Sequence, residues 1–138
     1  MKINACWLYG IQKYGFPCSV DDSMLAMDDI AALGFKAMEL EGVGTENLRE
    51  IASRKKELKN RADAAGLRIV NYGVVMPDVF DPDSSKRRRA LGVFDYAAEA
   101  ATWFGCETLQ FDSYSTSGAL EFVGEVPYAS MAASPQSP

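Results

Sequence analysis

There is no histidine anywhere in the 138 residues. That excludes a Ser-His or Cys-His catalytic pair, and any histidine-ligated metal site, within this chain. Cysteine is scarce. Cys6, Cys18 and Cys106 are widely spaced and form neither a C-x-x-C pair nor a metal-ligand cluster. They read as buried reduced thiols, and the opening MKINACWLYG lacks the apolar core of a signal peptide, so a cytoplasmic setting is expected. No apolar run approaches the roughly 20 residues of a transmembrane helix, so no membrane partner is expected. Basic charge is in deficit: 14 Lys and Arg against 19 Asp and Glu leave a net charge of −5. That argues against a nucleic-acid partner, which is held through many cationic contacts. Gly42-Val43-Gly44 is too short for G-x-G-x-x-G, which excludes a dinucleotide fingerprint.

What is present is a unit repeated three times. AALGFKAMELE, DAAGLRIVNYG and WFGCETLQFD each run from the end of a helical pattern, through a glycine, into a strand. Gly34, Gly66 and Gly105 fit helix C-caps, where the chain needs a positive φ. Four and six residues past the glycines stand Met38 and Leu40, Val70 and Tyr72, Leu109 and Phe111. These apolar positions are expected to pack on helices. Five past are Glu39, Asn71 and Gln110, and seven past are Glu41, Gly73 and Asp112, on the opposite face.

The first helix is expected to start at an N-cap Ser19, with Asp22 completing a variant capping box, and to bury Met24, Met27, Ile30 and Ala31. The second follows Thr45 or Asn47 and runs to Ala65. The third follows Asp81-Pro82-Asp83-Ser84 and carries Leu91, Phe94, Ala98, Ala101 and Phe104 inward. Leu8 to Pro17 and Val74 to Asp83 read as long loops. With a first strand at Ile3 to Trp7, the order is β-α-β-α-β-α-β, which implies parallel strands and right-handed crossovers. An open doubly wound sheet and part of a β/α barrel both fit this order. The polar second face favours the barrel, whose lumen gathers polar groups at its catalytic end.

Together, MKINACWLYG, SVDDSMLAMDDIAALGFKAMELEG, RADAAGLRIVNYG and AAEAATWFGCETLQFDS resemble the xylose-isomerase-like β/α barrels, the sugar and sugar-phosphate isomerases and epimerases. The likeness spans residues 1–113, and G-F-x-x-x-E-L at Gly34 to Leu40 is its most specific part. It implies a (β/α) half-barrel of about four parallel strands with helices on one face, a truncated TIM barrel. Residues 114–138 are expected to be an irregular tail, partly disordered. The resemblance implies an N-terminal fragment, inactive alone, because the family's metal ligands lie on later strands. A divalent metal (Mn, Mg, Co or Zn) is then expected only in a complete barrel, and none in this chain. The alternative is a non-catalytic half-barrel that self-associates through its strand edges and acidic lumen face. A homo-oligomer is expected in either case, since unpaired edges invite association.

Trp7, Glu41, Asn71 and Asp112 are the expected substrate-binding residues, for a sugar or sugar phosphate. The carboxylates suit hydroxyl contacts or hard cations, and Trp7, with Tyr9, Tyr14 and Phe16, can form an aromatic wall. The basic run Lys86 to Arg89 reads as a solvated helix face.

Overall fold

The computed structural model describes residues 3–112. Its elements, in chain order, are helices α1 (Leu8–Tyr14) and α2 (Val20–Ala32), strand β1 (Ala37–Val43), helices α3 (Gly44–Ser53) and α4 (Lys55–Ala64), strand β2 (Arg68–Val75), a 3-10 turn (Pro77–Phe80), helix α5 (Ser84–Phe104) and strand β3 (Thr108–Asp112). The expected tail at 114–138 lies outside the described residues.

Three copies of one helix ending set this order. Gly34, Gly66 and Gly105 hold φ of 91°, 69° and 72°, values costly for any residue with a Cβ. In each, the amide after the glycine donates back to a carbonyl five residues earlier: Phe35 to Ile30, Leu67 to Ala62 and Cys106 to Ala101. That is the Schellman bond, which satisfies an orphan carbonyl and turns the chain into the strand that follows. The N-termini are capped as well. Ser19 Oγ accepts from the Asp22 amide at 3.1 Å, and Asp83 Oδ1 accepts from the Ser85 amide at 2.7 Å.

The strands form a parallel sheet in the order β1-β2-β3. With strands in sequence order and right-handed crossovers, α3–α4 and α5 fall on the same face. The core sits there: Met38, Leu40, Ile69, Tyr72 and Val74 meet Met27, Ile30, Leu48, Ile51, Leu58, Val93 and Phe104. The other face carries Glu39, Glu41, Asn71, Gly73, Thr108 and Gln110.

Several expectations are corrected. Among the described residues the sheet has three strands, not four. The first segment contributes only a bridge, Ala5 to Met38, held by Ala5 N–H to Ala37 O (3.0 Å) and Glu39 N–H to Ala5 O (2.9 Å). It goes no further because Trp7 already has helical φ and ψ as the N-cap of α1. So Leu8 to Tyr14 is helix, not loop. The second helix is two, broken at Arg54, whose φ of −104° and ψ of 15° leave the helical region. Arg54 binds Asp21 on α2 (2.6 Å), Glu50 (3.1 Å) and Glu57 (2.9 Å) across the break.

Two packing assignments also shift. A bulge at Val70 puts Ile69, not Val70, opposite Met38, so Ile69 joins Tyr72 on the core face. The buried stripe of α5 is Ala90, Val93, Ala97, Ala100, Ala101 and Phe104: Ala101 and Phe104 are as expected, while Ala90, Val93 and Ala97 stand one residue before the expected Leu91, Phe94 and Ala98, and Leu91 is 61% exposed. Alanines let α5 lie close to its neighbours, where leucine would hold it away. Phe111 stays 37% exposed, and its ring meets Phe94 edge-on, centroids 6.0 Å apart. Nor is the basic run wholly a solvated face. Lys86 binds the buried Asp81 carboxylate at 3.0 Å, and Arg87 donates to the Asp81 and Pro82 carbonyls at 2.8 Å.

Gly42 is the closest approach in the core. A Cβ there would stand 2.4 Å from the Tyr72 hydroxyl and 2.6 Å from Leu48 Cδ2. The hydroxyl has no hydrogen-bond partner among the described residues, and burial raises its pKa. Gly42→Ala should therefore lose about 1–3 kcal/mol in urea unfolding, the usual range for overpacking. Tyr72→Phe should be neutral or stabilising, since it removes a buried group without a partner. In the double variant Tyr72→Phe should recover part of the Gly42→Ala loss. Parental stability in Gly42→Ala would contradict the geometry.

Candidate functional site

Alternation along the parallel strands brings Glu39, Glu41, Asn71, Gly73, Thr108 and Gln110 to one face. Two separate hydrogen-bonded groups form there, one at Glu39 and one around Asn71. Asn4 Nδ2 donates to Glu39 Oε1 at 2.9 Å. Asn71 Nδ2 donates to Gln110 Oε1 at 3.1 Å, and Thr108 Oγ1 donates to Asn71 Oδ1 at 2.7 Å. Asn71 is buried and thus oriented from two sides, with both its amide oxygen and nitrogen engaged on β3.

Trp7 lies across this face. Its indole Cδ1 and Nε1 stand 3.9 Å from where a Cβ on Gly73 would be. Gly73 pairs with Glu41 on β1 and Gln110 on β3, so the ring sits over the middle of the sheet, between a carboxylate and an amide. Glu41 is only 7% exposed. It lines a cavity of about 20 Å³ with Cys6, Trp7, Cys18, Ser23 and Glu39, room for a single water.

The expected binding residues thus divide. Trp7, Glu41 and Asn71 come together. Asp112 ends β3 opposite Val75, at the same end of the strands as Val43, and its side chain is outside the described part. Glu39 and Asn71 are level, as the repeat implied, but β3 is slid by two residues: Thr108, not Gln110, faces Asn71, and Gln110 faces Gly73. Asn4 and Thr108 escaped the sequence reading. Thr108 had a signal, being two residues before Gln110 and so on its face. Asn4 had none, since its role depends on the bridge at Ala5.

Two members of the expected aromatic wall are engaged elsewhere. Tyr9 packs against the core, and the Tyr14 hydroxyl donates to Asp29 Oδ2 at 2.5 Å. Lys13 reaches the same carboxylate at 2.6 Å, so α1, which carries Trp7 at its start, is clamped to α2. The cysteines are free but not uniformly buried: Cys6 is exposed, while Cys18 and Cys106 are half-buried. Desolvation raises all three pKa values, that of Cys106 to about 11. Among the described residues, no His, Cys, Asp or Glu side chains gather in a group of three as metal ligands would, and no helix is long and apolar enough to cross a membrane.

No family model matches the chain, and no curated protein is significantly similar to it.

Two outcomes follow from these placements. Alkylation in mildly alkaline buffer, read by peptide mass spectrometry, should label Cys6 before Cys18 and Cys106; Cys106 labelled first would contradict the burial pattern. The α1 clamp should respond to acid. The bond from Lys13 lowers the Asp29 pKa below 3.8, so the clamp's contribution is complete above that value and drains as pH falls through the depressed one. Lys13 is raised above 10.5, so the lysine stays charged and the clamp holds up to strongly alkaline pH. Hydrogen exchange of α1 amides should accelerate on the acid side, ahead of those in β2; unchanged α1 protection through global acid unfolding would refute the clamp.

Proposed function

We propose that the chain is the leading half of a β/α barrel of the sugar isomerase and epimerase type, carrying one wall of its substrate cavity and no complete catalytic centre. The observation that supports this reading most is the polar face of the sheet. A strand face destined for a helix-covered layer is apolar, as Met38, Leu40, Tyr72 and Val74 are. The opposite face instead carries two carboxylates, two amides and a hydroxyl beside an indole, with the Asn4 amide bonded to Glu39 at its edge.

Those groups suit a polyhydroxylated ligand. Asn71 and Gln110 can each donate and accept, as vicinal hydroxyls do, and Glu39 and Glu41 accept from hydroxyl protons. The indole of Trp7 offers an apolar plane for the C–H face of a sugar ring. In a complete barrel of the family the resemblance points to, a divalent metal held by residues outside this half would supply charge stabilisation for the proton transfer. The residues of this chain would bind and orient the ligand rather than move its protons. Sugar and sugar phosphate are both within the proposal.

Titrating the full chain with aldoses, ketoses and their phosphates while following tryptophan emission tests it. Weak saturable binding is expected, lost in Trp7→Ala and kept in Trp103→Phe, because Trp103 is on the outer side of α5 beside Lys55. Aldose–ketose interconversion should be absent even with added Mn²⁺. No emission change with any sugar would remove the reading.

A further inference from the structure

The outward side of α5 carries groups that a single copy leaves unused. Its core side is the stripe through Ala90, Val93, Ala97, Ala100 and Phe104. The opposite side carries Arg88, Leu91, Gly92 and Asp95, at i, i+3, i+4 and i+7, and all four are exposed.

Gly92 lies inside a 21-residue helix, where every residue but proline costs less than glycine. Its φ is not in the positive region, and a Cβ there would meet no atom within 4 Å. Neither the backbone nor the packing within one copy calls for glycine. The neighbouring leucine is 61% exposed.

Charge adds a second mismatch. Most charged groups near this stripe are engaged: Lys86 and Arg87 bond to Asp81 and Pro82, Arg89 to Ser85 Oγ at 3.3 Å, and Glu99 to Lys55 at 2.9 Å. The side chains of Arg88 and Asp95 form no ion pair or hydrogen bond among the described residues. They are opposite in sign but stand two turns apart, roughly 10 Å along the axis.

We propose that two copies of this chain pair through α5, the helices crossing antiparallel about a twofold axis that passes between Leu91 and Gly92. Such an axis sets Arg88 against Asp95 and Leu91 against Gly92, and each contact occurs twice, as isologous pairing requires. Leu91 of each copy fills the space that Gly92 of the other leaves open, and two ion pairs flank the leucines. The glycine lets the two axes come close, since no Cβ holds them apart. The polar face of the sheet lies on the far side from α5, so the pairing leaves it open and does not depend on the ligand reading. One helix pair is a small seam, so association is expected at micromolar concentrations.

Sedimentation equilibrium of the full chain from low to high micromolar concentration tests it. The mass should rise towards twice 15.1 kDa. Arg88→Asp and Asp95→Arg should each weaken association by roughly tenfold or more, because each sets like charges against one another. Combined in one chain, the two substitutions should restore it, which separates a lost contact from a damaged helix. Added salt should weaken the parent and strengthen Arg88→Asp. Gly92→Gln should weaken association while the single chain, at low concentration, melts no earlier than the parent. A single-chain mass at every concentration overturns the proposal. So does a dimer that ignores the single reversals, or a pair of reversals that the combined chain does not rescue.

Discussion

The Tyr72 ring is the contact on which the rest of the packing depends. It stands at the middle of the central strand and is fully buried. Its hydroxyl end is pressed over Gly42 beside Leu48, and its ring meets Phe104 edge-on at 6.0 Å. One side chain thus sets how near β1, α3 and the end of α5 come to β2. The cost is a buried hydroxyl with no described partner, and the gain is a large apolar body filling the junction of four elements. Gly42 is glycine for that reason, not for a turn: the strand must come close where the ring ends.

Much of the fold was legible because it rests on local rules. A residue without a Cβ was needed at Gly34, Gly66 and Gly105, and their spacing announced three helix-to-strand turns. Ser19 announced one helix start, and the stretch Asp81-Pro82-Asp83-Ser84 announced another. Period-2 alternation sorted Met38 and Leu40 from Glu39 and Glu41. What was not legible depends on distances between elements. Hydrophobicity favours Leu91 over Ala90 as a core residue, yet α5 packs closely enough that alanine is the better fit. Nothing in the composition of Ile3 to Trp7 shows that helix α1 begins before a full strand can form.

The candidate site divides along the same line. Trp7, Glu41 and Asn71 were accessible from face and position alone. Their arrangement was not, because the slide of β3 by two residues is decided by how α5 seats on the sheet. That slide gives Asn71 its bonds to both Thr108 and Gln110, and it leaves Gly73 flanked by Glu41 and Gln110 under the indole. The glycine that shaped the repeat at Gly66 and the glycine that admits Trp7 at Gly73 do different things: one satisfies a backbone angle, the other vacates a volume.

The bulge at Val70 has a consequence for how this chain can change length. With Val70 as the extra residue, Ile69 and Tyr72 both face the core although they are three apart, and Asn71 faces the cavity. Losing Val70 would leave a regular strand with each of these side chains on its present side. Losing Gly73 instead would turn Val74 from the core to the cavity and Val75 the other way. Position 70 is therefore a residue of slack, where a three-nucleotide deletion is silent to the sorting of the two faces.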